Sequence, residues 1–195
     1  MIDYVEAPNA PKEPMGFSYG KPRLFLAGGI TGCHDWQSDL VTMIHDLQLE
    51  VLNPRRKEFP ANDPDAAAEQ IQWKYCMLRY ADAIAFWFPA EALCPIALFE
   101  LGTWSSRCES GHSYASPRLF VGVHPEYKRR RDIEIQMSLV AHQVEIVYDL
   151  PSLARQIREW PVWVDGEVRH RPMPTPRITT LFKEADGSKE CGTDG

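Results

Sequence analysis

With 195 residues, 44% of them hydrophobic, the chain carries enough apolar material for one domain with its own core. Its formal net charge of -6 argues against nonspecific binding to nucleic acid or to an anionic membrane surface. No apolar run approaches the roughly 20 residues of a membrane-spanning helix, so neither nucleic acid nor membrane is expected as a partner.

The first twenty residues hold an early Asp and Glu and several Pro, without the basic start and apolar middle of a signal peptide. Residues 1–22 read as an irregular N-terminal arm. The five cysteines (33, 76, 94, 108 and 191) are odd in number and form no C-x-x-C pair, which reads as free thiols in a reducing compartment, the cytoplasm. No His/Cys spacing resembles a zinc site, and neither a metal nor a cofactor is expected.

"RLFLAGGI" reads as a buried strand running into a glycine turn. Residues 36–49 place apolar side chains at 36, 40, 43, 44 and 47, a helical spacing, with Asp35 set to cap the N-terminus. "EVLNP" is a short strand stopped by Pro54, and a polar loop follows. A second helix carries Ile71, Tyr75 and Leu78 on one stripe. "DAIAFWF" is a strongly apolar strand, and "PIALFELGTWSSRC" is a third helix with Pro in its first turn. The strand "RLFVGVHP", the basic "EYKRRRD", the helix "IEIQMSLVAH", the short strand "VEIVY" and the helix "LPSLARQIREW" complete the pattern. Beyond residue 161, "VWVDGEVRHRP" allows a small hairpin turning at Asp165–Gly166.

Alternating strands and helices predict a single α/β domain over residues 23–160, followed by a hairpin or tail over 161–195. The sheet is expected to be mostly parallel, with helices on both faces, flavodoxin-like or Rossmann-like. Such folds bind ligands at the carboxyl ends of their strands, so the loops there hold the candidates.

Gly28 and Gly29 let the backbone approach a ligand, or simply join strand to helix. Asp35, Trp36 and Gln37 are respectively a cap, a core aromatic and an amide if taken singly. Together beside a glycine turn they form a grip for a sugar or base. "NPRR" puts Asn53, Arg55 and Arg56 at a strand terminus. There guanidinium groups suit phosphate or carboxylate, against the plainer reading of a solvated loop. Gln70 and Lys74 lie one turn apart with Trp73 between them, and Glu69 shares a face with Trp73. Asp82 heads the strand "DAIAFWF", against the plainer reading that it only ends the preceding turn.

Glu100 is the lone carboxylate in the apolar "LCPIALFELG". Burying it unpaired is costly, so pairing, protonation or catalytic use is expected. Helical spacing puts Ile96, Phe99 and Thr103 on its side and Leu98 and Leu101 elsewhere, which would let Glu100 reach a pocket above the sheet. A carboxylate against an apolar wall suits nucleophilic or acid–base work on a sugar; the alternative is an ion pair with Arg55 or Arg79.

"FLAGGITGCHDWQ", "NPRR", "EQIQWK", "ADAIAFWFP" and "LCPIALFELG", in that order and spacing over roughly residues 23–150, resemble the nucleoside 2-deoxyribosyltransferase-like family, including its relatives that hydrolyse nucleotide N-glycosidic bonds. The resemblance implies that Glu100 attacks C1′ of a deoxyribose and that a second base or water then takes the sugar. It implies that the glycine turn, Asp35 and Gln37 hold the sugar, and that Asn53 and Arg55 hold sugar or a 5′-phosphate. It also implies a homo-oligomer in which Asp132 or Gln136 reaches a neighbouring subunit's site. Close relatives often carry an acidic residue where this chain has Lys74. The reading is thus an enzyme cleaving a deoxynucleoside or deoxynucleotide, with a lean towards the monophosphate. Its rivals are a noncatalytic nucleotide sensor on the same fold and an unrelated phosphate-handling protein.

Overall fold

The structure, a computed structural model, describes residues 1–11, 21–60, 62–63, 65–109 and 116–160. The hairpin or tail expected over 161–195 lies outside the described residues. Among these, strands and helices run β1 (Asp3–Glu6), β2 (Arg23–Gly28), α1 (Trp36–Met43), β3 (Glu50–Asn53), α2 (Ala66–Tyr80), β4 (Ala83–Phe88), α3 (Pro95–Glu109), β5 (Arg118–Val123), α4 (Arg130–Val140), β6 (Ile146–Val147) and α5 (Leu150–Arg158). The strands form one sheet in the order β1-β3-β2-β4-β5-β6, and every pairing is parallel. Without β1 this is the flavodoxin-like order, whose direction reverses between β2 and β4.

Strand alternation sorts the core into two layers. Leu24, Leu26, Ala83, Ala85 and Trp87 face Trp36, Leu40 and Ile44 of the α1 segment and Leu153 and Ile157 of α5. Phe25, Ala27, Ile84, Phe86 and Phe88 face Trp73 and Met77 of α2, Leu101 and Trp104 of α3, and Ile133 and Met137 of α4. All six residues of β4 are buried, which is why its sequence is a continuous apolar run rather than an alternation. No described helix is long and apolar enough to cross a membrane.

Two local expectations need correction. The N-terminal arm is not wholly irregular: β1 pairs in register with β3, from Asp3 opposite Glu50 to Glu6 opposite Asn53. An edge strand of four residues, half of them acidic, carries little apolar signal, so backbone pairing is what orders it. Helix α1 stops at Met43, not near residue 49. The Ile44 N–H closes the last turn onto Leu40 O and Val41 O, and Ile44 and Leu49 are buried from the turn that follows. Their helical spacing reported burial, not helix. The Asp35 cap is present, its Oδ1 accepting from Ser38 N at 3.2 Å.

The amino ends of the strands are closed by a buried ion pair, Arg23 Nε to Glu50 Oε2 at 3.0 Å, with the guanidinium 3.7 Å above the Tyr80 ring. The carboxyl ends of β2 and β4 are the switch point, and they position the candidate site.

Candidate functional site

β2 runs out at Gly28, where the chain lies so close to β4 that a Cβ would sit 2.1 Å from the Trp87 carbonyl oxygen; its φ of +154° is also unfavourable for other residues. At Gly29 a Cβ would come within 2.7 Å of Pro89 Cγ, 2.9 Å of Cys33 Sγ and 3.0 Å of Cys94 Sγ. Both glycines are therefore required by the close fit of the β2 and β4 loops.

The Gly29 carbonyl is the hub of this turn. It accepts from Trp36 Nε1 at 2.8 Å and Gln37 Nε2 at 3.1 Å, with Arg55 Nη2 at 3.5 Å. Trp36 and Gln37 are buried, and the Gln37 Oε1 accepts from Arg55 Nε at 2.9 Å. Arg55 Nη2 also donates to His34 O at 3.0 Å, and Arg55 Nε lies 3.3 Å from Asp35. The Asn53 Oδ1 accepts from the Arg55 N–H at 2.9 Å, and its amide nitrogen donates to the Tyr4 hydroxyl of β1. Arg56 pairs with Glu69, and Gln70 Nε2 donates to Pro54 O at 2.6 Å. The "NPRR" segment thus acts as a strap that ties the glycine turn to β1 and α2.

Glu100 lies one and a half turns into α3, with 8% of its surface exposed. It does not share the side of Ile96 and Phe99, which are 62% and 75% exposed. It sits three residues after Ala97 and four before Trp104, both buried, so it belongs to the inward face. Its partner is Lys74 of α2, Nζ to Oε1 at 2.7 Å, in the place expected of Arg55 or Arg79. Its Oε2 is buried and has no hydrogen-bond partner among the described residues. Burial pushes the Glu100 carboxyl above its ordinary range, while the Lys74 ammonium pulls the other way.

Other expected residues fall elsewhere. Trp73 is buried, 6.0 Å from the Phe25 ring, and donates through Nε1 to Asn9 O at 2.8 Å. Asp82 precedes β4 and accepts from the Arg23 N–H at 3.0 Å, at the amino end of the sheet. That is roughly 20 Å of strand away from the switch point, so Asp82 does not join the cluster; it closes a turn. Asp132 and Gln136 are exposed on α4, Asp132 pairing with Arg129 at 3.2 Å.

Residues 21–127 match the family described as nucleoside 2-deoxyribosyltransferase like. That is more than half of the chain. The chain belongs to this family. Among curated proteins, no sequence matches it. Family membership implies a small nucleoside-type substrate. The segment shared with the nucleoside 2-deoxyribosyltransferase-like family spans the glycine turn, the strap, Lys74 and Glu100. It leaves out β1, α4, Asp132 and Gln136.

Three supporting residues escaped the sequence reading. Tyr4 supports Asn53 from a strand with no apolar signature. Tyr127 donates its hydroxyl to Leu93 O at 2.7 Å, pinning the loop that leads into α3, and burial pushes its phenol up to about 12. Cys94, at φ +49°, turns the chain into α3, and burial pushes its thiol up to about 11, leaving it a packing residue at neutral pH. Cys33, Cys76 and Cys94 are free thiols. Among the described residues, no three His, Cys, Asp or Glu side chains gather in a metal-holding group.

Proposed function

We propose that the chain cleaves the N-glycosidic bond of a deoxynucleoside or deoxynucleotide through a covalent glycosyl-enzyme on Glu100, passing the sugar to a second base or to water. One observation carries this reading: a buried carboxylate on the helix after β4, beside the switch point, with one oxygen held by Lys74 and the other without a partner among the described residues. Such an oxygen is a nucleophile awaiting an electrophile, and a carboxylate next to C1′ stabilises the oxocarbenium-like transition state before bonding to it. Family membership supports the substrate class. Asp35, half-exposed at the rim of the turn, is the group best placed to accept from a sugar hydroxyl.

The reading extends to a homo-oligomer. Ile96 and Phe99 on α3 and Ile135 and Leu139 on the neighbouring α4 are exposed apolar side chains that a second copy would cover. The exposed Asp132 and Gln136 would then face the partner's site.

The test is a panel of deoxynucleosides and their monophosphates, with and without a free acceptor base, assayed for released or exchanged base with wild type and Glu100→Ala. Wild type should release or exchange base, and the variant should lose several orders of magnitude. Ligand binding by wild type without any base release would favour the noncatalytic sensor instead.

A further inference from the structure

We propose that Lys74 is a positioning residue for the Glu100 nucleophile: it fixes Oε1, leaves Oε2 as the attacking oxygen, and shortens the life of the covalent intermediate. This rests on the glycosyl-enzyme reading above and adds a role within it.

The two carboxylate oxygens are not equivalent. Oε1 lies 2.7 Å from the Lys74 ammonium, and Oε2 is buried with no donor among the described residues. Both side chains are largely enclosed, at 16% exposure for Lys74 and 10% for Glu100, so solvent screens the pair poorly. Lys74 comes from the middle of α2 and Glu100 from α3, so the contact also ties these two helices together.

Lys74 sits too close to the nucleophile to be the acid for the leaving base. A retaining pair stands about 5–5.5 Å apart across the sugar, one group on each side of the scissile bond. At 2.7 Å Lys74 is on the nucleophile's own side. Its effect therefore falls on the Glu100 carboxylate, as follows.

In the first step an Oε2 lone pair forms the bond to C1′. The C1′–N bond breaks, its electron pair leaves with the base, and the base takes a proton from solvent. The carboxylate becomes a neutral ester. In the second step water or another base attacks C1′ and the C1′–Oε2 bond breaks. Its electron pair returns to Oε2, and the proton of the attacking water, or of the acceptor base's N–H, passes to solvent. Here the carboxylate is the leaving group. A cation at hydrogen-bond distance stabilises the charge as it reappears, so it speeds the second step. It tempers the nucleophile in the first.

The experiment follows sugar-labelled substrate onto the protein by intact-mass spectrometry during steady state at pH 8.5, in wild type, Lys74→Met, Lys74→Gln and Lys74→Arg. Thermal melting identifies variants that fold, and Lys74→Gln keeps a donor without the charge if Lys74→Met does not fold. The expected result is a roughly ten- to hundredfold higher ratio of glycosyl-enzyme to free enzyme in the uncharged variants, the span of one hydrogen bond to a charged group. In these variants kcat should fall and KM should fall further, so that kcat/KM holds or rises as the untempered carboxylate attacks faster, and Lys74→Arg should behave as wild type. Unchanged glycosyl-enzyme in a folded uncharged variant, with kcat/KM lowered instead, overturns the role of Lys74 while leaving Glu100 as the nucleophile. Wild type that neither releases base nor labels Glu100 overturns the underlying reading, and this inference with it.

Discussion

Arg55 reaches from the loop after β3 to Gln37 of α1, Nε to Oε1 at 2.9 Å, and so joins the ends of two neighbouring strands through a buried amide. A guanidinium at this strand end looked, from sequence, like a phosphate ligand. Its Nε and Nη2 groups serve Gln37, Gly29 O and His34 O.

Arg55→Ala should accordingly loosen the glycine turn. Stability should fall by about 1–3 kcal/mol, the cost of leaving the buried Gln37 oxygen without a donor. kcat/KM should fall for nucleoside and monophosphate alike, because the turn serves both. Thermal melting and paired specificity constants check this. Unchanged melting with a loss confined to the monophosphate would restore the phosphate-binding role.

The pH dependence follows from Glu100. Burial raises its carboxyl above the ordinary 4.5 in the folded protein. The fold thus favours the protonated form. Stability from this group is complete below 4.5 and is lost as pH rises through the raised value. Activity runs the opposite way, since only the ionised carboxylate attacks C1′. The acid limb of the kcat/KM profile should lie above 4.5 and vanish from the residual activity of Glu100→Gln. A limb at or below 4.5 would show that Lys74 outweighs burial.

Gly29→Ala should be destabilising without any change of charge. The added methyl meets Pro89 Cγ and two sulfurs, all at 3.0 Å or less, and none is the far end of a long flexible chain. Overpacking of this kind costs about 1–3 kcal/mol. Chemical denaturation should show the loss, and Cys33→Ala in the same chain should recover part of it by removing one of the three contacts.

Phe99→Glu should abolish self-association with little effect on the fold, because the side chain is 75% exposed and takes no part in either core layer. Light scattering at micromolar concentration should show a smaller particle than wild type. A wild type that is already monomeric and fully active would count against the shared-site arrangement.

The sheet was legible because β2 and β4 are apolar runs bounded by turn residues, a signal that burial on both faces imposes on a parallel strand. The carboxyl-end loops that carry the candidate residues were legible for the same reason, since strand ends follow from strands. The orientation of Glu100 was not. It depends on which face of α3 meets α2 and α4, and exposed Ile96 and Phe99 imitate a core stripe. Nor was its pairing with Lys74, because α2 and α3 meet only once the sheet has set their spacing. Arg55 illustrates the same limit: its place at a strand end was readable, but the buried Gln37 that claims it was not.

The β1 strand carries a practical consequence for anyone excising the domain. Similarity to the family begins at residue 21, which suggests a natural place to cut. A piece starting there would bare the backbone of β3 along its outer edge, a surface prone to pairing between molecules. It would also remove the Tyr4 hydroxyl from Asn53, the Asn9 carbonyl from Trp73 and the Glu6 carboxylate from the Lys57 N–H. The folded sheet therefore extends beyond the stretch of recognisable ancestry, and the first ten residues act as a built-in clamp on its carboxyl end.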